Sequence, residues 1–94
     1  MGTIVFTCKG DTIVSYEDAD ELLVYDMDSK RLVHKLKKPQ DPFLLEDLLE
    51  EYDPWVVVSE GVSPEIGGLL RDMGVKLEFT RKRKIGEFLE EVFL

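Results

Sequence analysis

The chain has 94 residues, 44% of them hydrophobic, and a net charge of −8 from 20 acidic and 12 basic side chains. That length suits one domain, residues 1–94, with a modest core, and so acidic a chain repels phosphate backbones, so no nucleic-acid partner is expected. No apolar run approaches the roughly 18 residues of a membrane helix, and a single cysteine excludes an internal disulfide framework or a multi-cysteine metal site within one chain.

The opening MGTIVFTCKG has neither a basic n-region nor a cleavage motif, so no secretory signal is expected and cytoplasmic residence is the default. The absence of Asn, with a single Gln and abundant Glu and Lys, leans towards a thermophile.

Thr3 to Cys8 (TIVFTC) reads as a first, central strand. Lys9-Gly10-Asp11 turns the chain into a short extended piece, Thr12 to Tyr16, and Glu17 to Asp20 is an acidic link. Leu22 to Asp26 is a second strand, and Met27 to Lys30 has hairpin-loop chemistry. The third strand, Arg31 to Lys37, alternates Leu32, His34 and Leu36 with Arg31, Val33, Lys35 and Lys37. Asp41 caps a helix that begins at Pro42, with Leu45, Leu48, Leu49 and Tyr52 as its apolar stripe.

A βαβ unit follows. Trp55 to Val58 is an apolar, β-branched run of the kind buried on both faces of a sheet, and Ser59 to Val62 is a turn. Ser63 caps the next helix, Pro64 suits its first position, and Ile66, Leu69, Leu70 and Met73 share one face. Gly74 is placed to end that helix with φ > 0 before the half-exposed strand Val75 to Phe79. Arg81 to Lys84 reads as a solvated loop, and a last helix from about Lys84 to Phe93 buries Ile85, Phe88, Leu89 and Val92. A hairpin followed by alternating helices and strands predicts an α/β fold of three layers, α/β/α, around a five-stranded mixed sheet ordered 3-2-1-4-5. The two lysine-bearing strands then lie at the edges, where charge discourages pairing with another chain.

Three stretches give this organisation a family likeness: LLVYD with its hairpin and the strand RLVHKL, the strand-turn-helix VVVSEGVSPEIGGLL, and RDMGVKLEFT with its terminal helix. Together they resemble the dinitrogenase iron–molybdenum cofactor biosynthesis family. The resemblance spans nearly the whole chain and implies a ribonuclease H-like motif and a non-enzymatic role in binding or carrying an iron–sulfur or iron–molybdenum cluster precursor. It departs from the family pattern at three places. Val14 to Asp20 retains Ser15 but lacks the family's histidine, glycine and arginine; Glu60 to Pro64 keeps one glycine and the proline; and Lys38 to Asp41 has no histidine.

The expected cofactor site is the carboxyl end of the first and fourth strands, near Cys8, Ser15, Ser59, Gly61 and Ser63. Cys8 is the candidate metal ligand as a thiolate, or a small buried hydrophobe as a thiol. Gly61 is expected to need φ > 0 or a close approach, and Gly67-Gly68 a close packing of their helix on the sheet. His34 suits a satisfied strand position, and Asp11, Glu17, Asp18, Asp20 and Asp26 do not follow a calcium-loop order. The rival reading is an interaction or regulatory module whose cofactor site has degenerated, touching its partner through an acidic helix face, the Arg81–Lys84 cluster or an edge strand. A small enzyme is a third reading, without a motif to support it.

Overall fold

The computed structural model describes residues 2–93 (side chains 2–92), so Met1 and Leu94, the ends of the expected domain, lie outside the described residues. The strands are β1 (Thr3–Lys9), β2 (Thr12–Ile13), β3 (Glu21–Asp26), β4 (Arg31–Lys37), β5 (Val56–Ser59), β6 (Lys76–Phe79) and β7 (Arg83–Lys84). The helices are α1 (Pro42–Tyr52), α2 (Pro64–Asp72) and α3 (Ile85–Phe93).

β1 organises the sheet because both its faces are apolar. Ile4, Phe6 and Cys8 point to a core shared with Val56, Val58, Ile85 and Phe88 beneath α3. Val5 points to a second core shared with Leu45, Leu49, Ile66 and Leu70 beneath α1 and α2. Helices therefore lie on both faces, two on one and one on the other. The Phe6 and Phe88 rings meet edge to face, their centroids 5.6 Å apart, a contact worth about 0.5–1.5 kcal/mol beyond its burial.

The sheet is mixed and has seven strands, where five were expected. Along one edge of β1 runs β3, antiparallel from Thr3↔Asp26 to Cys8↔Glu21, with β4 outside it. The other edge is divided. β5 pairs parallel to Ile4–Phe6, with β6 beyond it, and β2 folds back onto Cys8 and Lys9. The five expected strands pair as β4-β3-β1-β5-β6, which is the order 3-2-1-4-5, and the correction is the two short additional strands, which make a second path β4-β3-β1-β2-β7 through β1. The cause is the turn at Gly10, whose φ of +64° sends the chain straight back along the strand it has just left.

Two more corrections concern single strands. Tyr25 pairs with Leu32 but Val24 with His34, so Val33 is an extra, bulged residue in β4. The bulge puts Leu32 on the α3 face, while His34 and Leu36 stay on the α1 face, where the His34 and Tyr52 rings are 5.1 Å apart. Trp55 is 56% exposed and lies outside β5, with Lys76 Nζ 5.5 Å from its ring centroid; the buried run is VVVS.

Helix ends follow the local chemistry. Asp41 accepts from Phe43 N at 2.8 Å at the start of α1, and Ser63 from Ile66 N at 3.3 Å at the start of α2. Gly74 closes α2 with φ +77°. α3 buries Ile85 and Phe88, but Val92, expected inside, is exposed.

Gly67 and Gly68 do not mark a tight approach to the sheet. A Cβ on Gly67 would lie 3.5 Å from Val62 Cγ2 and one on Gly68 3.8 Å from Arg71 Nη2, both ordinary contacts. Each glycine therefore costs helix stability without a packing gain. Gly67→Ala and Gly68→Ala are each expected to stabilise the fold by roughly 0.5–1 kcal/mol. Urea denaturation measures this, and a loss of stability would mean that the helix sits closer to its neighbours than described.

Candidate functional site

The carboxyl ends of β1 and β5 are where a sheet of this kind takes a ligand. Here the chain fills that place itself. Val14 N donates to Thr7 O at 3.1 Å, Glu60 N to Val14 O at 3.3 Å and Tyr16 N to Gly61 O at 2.8 Å, so residues 14–16 lie along the ends of both strands.

Two buried hydroxyls lock this arrangement. Thr7 and Ser59 are 1% and 0% exposed and face each other across the parallel pair. The Thr7 hydroxyl lies 2.7 Å from Val14 O and 2.8 Å from Ser59 Oγ. Ser59 Oγ lies 2.9 Å from Gly61 O and accepts from Gly61 N at 3.2 Å. The two hydroxyl protons are thus taken up by internal acceptors, and nothing in this pair is left to bind an outside group.

Ser15, Ser59, Gly61 and Ser63 all lie at this end of the sheet, on the α1–α2 side. Ser15 Oγ accepts from Asp18 N at 3.3 Å, and its backbone N donates to Glu60 Oε1 at 3.2 Å. Ser63 caps α2. Gly61 is not among the residues with positive φ, and a Cβ on it would meet nothing within 4 Å. The expected strain or close approach at Gly61 is therefore corrected: the turn is held by its backbone N–H and carbonyl, not by the lack of a side chain.

Cys8 lies apart from the other four. Its side chain points to the α3 face, in the core with Phe6 and Ile13, and is 0% exposed. Its Sγ is 3.5 Å from the Glu21 carbonyl, to which the thiol donates. Burial first, then the Glu21 charge, pushes the thiol up from 9.0 to about 11. A cluster carried as cargo needs soft, ionised sulfur, and Cys8 offers a buried thiol on the far side of the sheet. The remaining hydroxyls are capping or turn groups, so the residues present do not fit a metal cluster. Among the described residues no three His, Cys, Asp or Glu side chains converge in a way that could hold a metal ion.

A hollow of about 430 Å³ remains beside the strand ends, between Tyr16, Lys38, Pro39 and the first turn of α2. Lys38 Nζ donates to Tyr16 O at 2.8 Å and Glu17 O at 3.1 Å, and sits 5.0 Å from the Tyr16 ring centroid. Burial raises the Tyr16 pKa. With its ammonium engaged by two carbonyls and Glu65 in the first turn of α2, the hollow has no charge preference for an anion.

Sequence reasoning missed Thr7, Tyr16 and Lys38. Thr7 had a signal, a polar residue within a doubly buried run, but Tyr16 and Lys38 meet only through the fold. Within the Arg81–Lys84 cluster, Arg81 and Lys82 are the exposed loop expected, but the second half is not. Arg83 and Lys84 form β7, paired with Thr12 and Ile13. The Arg83 guanidinium pairs with Glu91 and lies 5.9 Å from the Phe88 ring centroid.

No protein-family model matches the chain, and no curated protein matches it significantly. Solved structures do. PH0822 superposes with a TM-score of 0.74 at 9% identity, over 94% of this chain and 86% of that one. TM1290 from Thermotoga, provisionally called a NifB protein of the DUF35 family, gives 0.72 at 14% identity over 96% and 85%. A protein from Methanocaldococcus jannaschii, provisionally called a dinitrogenase, gives 0.69 at 13% identity over 98% and 86%. The chain shares their fold.

Two outcomes test this description of the strand end. Thr7→Val removes a donor from a buried carbonyl and is expected to cost about 1–3 kcal/mol. Hydrogen exchange should quicken at residues 14–16 in that variant, and unchanged exchange would mean that the hydroxyl pair does not hold the loop. The second concerns Cys8, whose folded pKa lies above its unfolded one. The stability tied to the neutral thiol is then fully present below pH 9.0 and lost as the pH rises through about 11. Urea unfolding should show a steeper loss over that window in the native chain than in Cys8→Ala; equal slopes would mean that the thiol ionises freely.

Proposed function

We propose that the chain is a small, non-enzymatic interaction module related to the nitrogenase cofactor-binding proteins, in which the strand-end site no longer takes a cluster. The observation that carries this reading is the division of the candidate residues by the sheet. The one sulfur donor is buried under α3, while Ser59 and Gly61 on the opposite face are bonded to each other and to the segment 14–16. The fold likeness to proteins provisionally called NifB and dinitrogenase supports the ancestry. On this reading the sheet is a variant of the ribonuclease H-like motif, and the module works in the cytoplasm through a protein partner.

No helix among the described residues is long and apolar enough to cross a membrane. The carrier reading, in which an iron–sulfur or iron–molybdenum cluster precursor is held by Cys8 shared between chains, makes the opposite prediction. On the module reading, purified chain incubated anaerobically with ferrous iron and sulfide, then desalted, should retain no iron and show no charge-transfer absorbance. Stoichiometric iron with a visible spectrum that disappears in Cys8→Ala would establish the carrier reading instead.

A further inference from the structure

One of the chain's two basic stretches lies along a sheet edge, the other being Arg81–Lys84. Residues 30–38 (KRLVHKLKK) hold five of the 12 Lys and Arg and no acid, leaving seven against all 20 carboxylates elsewhere. The structure turns this segment into β4, which pairs with β3 and, among the described residues, with no other strand. Its outer backbone groups therefore have no strand partner over seven residues. The segment is also apolar where it is exposed: Leu32 is 53% and Val33 44% accessible. Lys38 is folded back onto Tyr16 and Glu17. Lys35 is bridged at 3.5 Å to Glu21 yet keeps a 57% exposed side chain.

We propose that β4 is a docking edge that takes an acidic, extended segment of a partner protein as an added strand. This rests on the reading of the chain as an interaction module and names its surface. Main-chain hydrogen bonds would supply the affinity, and the basic side chains the choice of partner. The same charges argue against the other occupants. A second copy pairing β4 to β4 would bring the two runs of lysines together without a carboxylate between them. A single-stranded nucleic acid needs exposed aromatic platforms for its bases, and β4 contains no aromatic residue but His34, which faces Tyr52.

The full-length, isotope-labelled chain provides the test, with a capped ten-residue peptide alternating glutamate with valine or threonine as the probe. The expected result is saturable shift changes confined to the amides of residues 31–37. Binding should weaken at least roughly tenfold between about 50 and 500 mM salt. It should be lost when alternate peptide nitrogens are methylated, and weakened in Lys35→Gln/Lys37→Gln, whose amide spectrum away from β4 serves as the control for folding. Equal binding of the lysine counterpart of the peptide would overturn the proposal. So would stronger shifts of these amides by a ten-nucleotide single strand, concentration-dependent shifts without peptide, or no shift at millimolar peptide. Failure here leaves the iron experiment unaffected, whereas iron bound through Cys8 would sink the module reading while leaving any shift at β4 intact.

Discussion

The rest of the structure depends on β1 being buried on both faces. Successive side chains of TIVFTC point alternately into two separate cores. A strand of this kind cannot lie at an edge or face water, so helices must cover both sides. α3 covers one, anchored by the ring contact between Phe6 and Phe88. α1 and α2 cover the other through Leu45, Leu49, Ile66 and Leu70. Alternation also fixes the chemistry. With Phe6 on the α3 side, Cys8 must follow it and Thr7 must face the other way, towards Ser59. A one-residue slip would exchange the thiol and the hydroxyl, and no such slip is compatible with these cores.

This explains what could be read in the sequence and what could not. Capping chemistry is local, so Asp41, Ser63-Pro64 and Gly74 marked their helix ends correctly. The VVV run and the stripe from Ile66 to Met73 were equally legible, because each is a single periodic segment. The bulge at Val33 was not, since an extra residue in a strand leaves the pattern of the sequence intact and appears only as a change of partner. The pairing of Thr12–Ile13 with Arg83–Lys84 joins segments about seventy residues apart, each only two residues long. Gly61 misled for a different reason. A glycine between a strand and a capped helix suggests a special backbone, but here the turn is held by hydrogen bonds that many residues could make.

The candidate site shows the same division. Its location at the strand ends followed from the βαβ unit, and Ser15, Ser59, Gly61 and Ser63 do gather there. Which face Cys8 would take, and which helix would cover it, depended on crossovers that the sequence does not encode locally. The hairpin through Gly10 then brings residues 14–16 back over the strand ends, where the fold would otherwise leave a crevice. The usual place is filled by the chain itself, while the edge strand β4 is basic and partly apolar. The chain shares its fold with proteins provisionally called NifB and dinitrogenase at 13–14% identity, a distance at which architecture persists and sites change.

The most direct measurement of the central claim, that β1 commits Cys8 to the core under α3, is the rate of thiol labelling under native conditions. Labelling should be followed across sub-denaturing urea and compared with hydrogen exchange of the β1 amides. The account predicts that Cys8 is labelled only through global unfolding, with the same free energy and urea dependence as the slowest amides of Val5 and Phe6. Labelling through a low-energy, urea-independent opening would contradict it, by showing that the thiol reaches solvent from the folded chain.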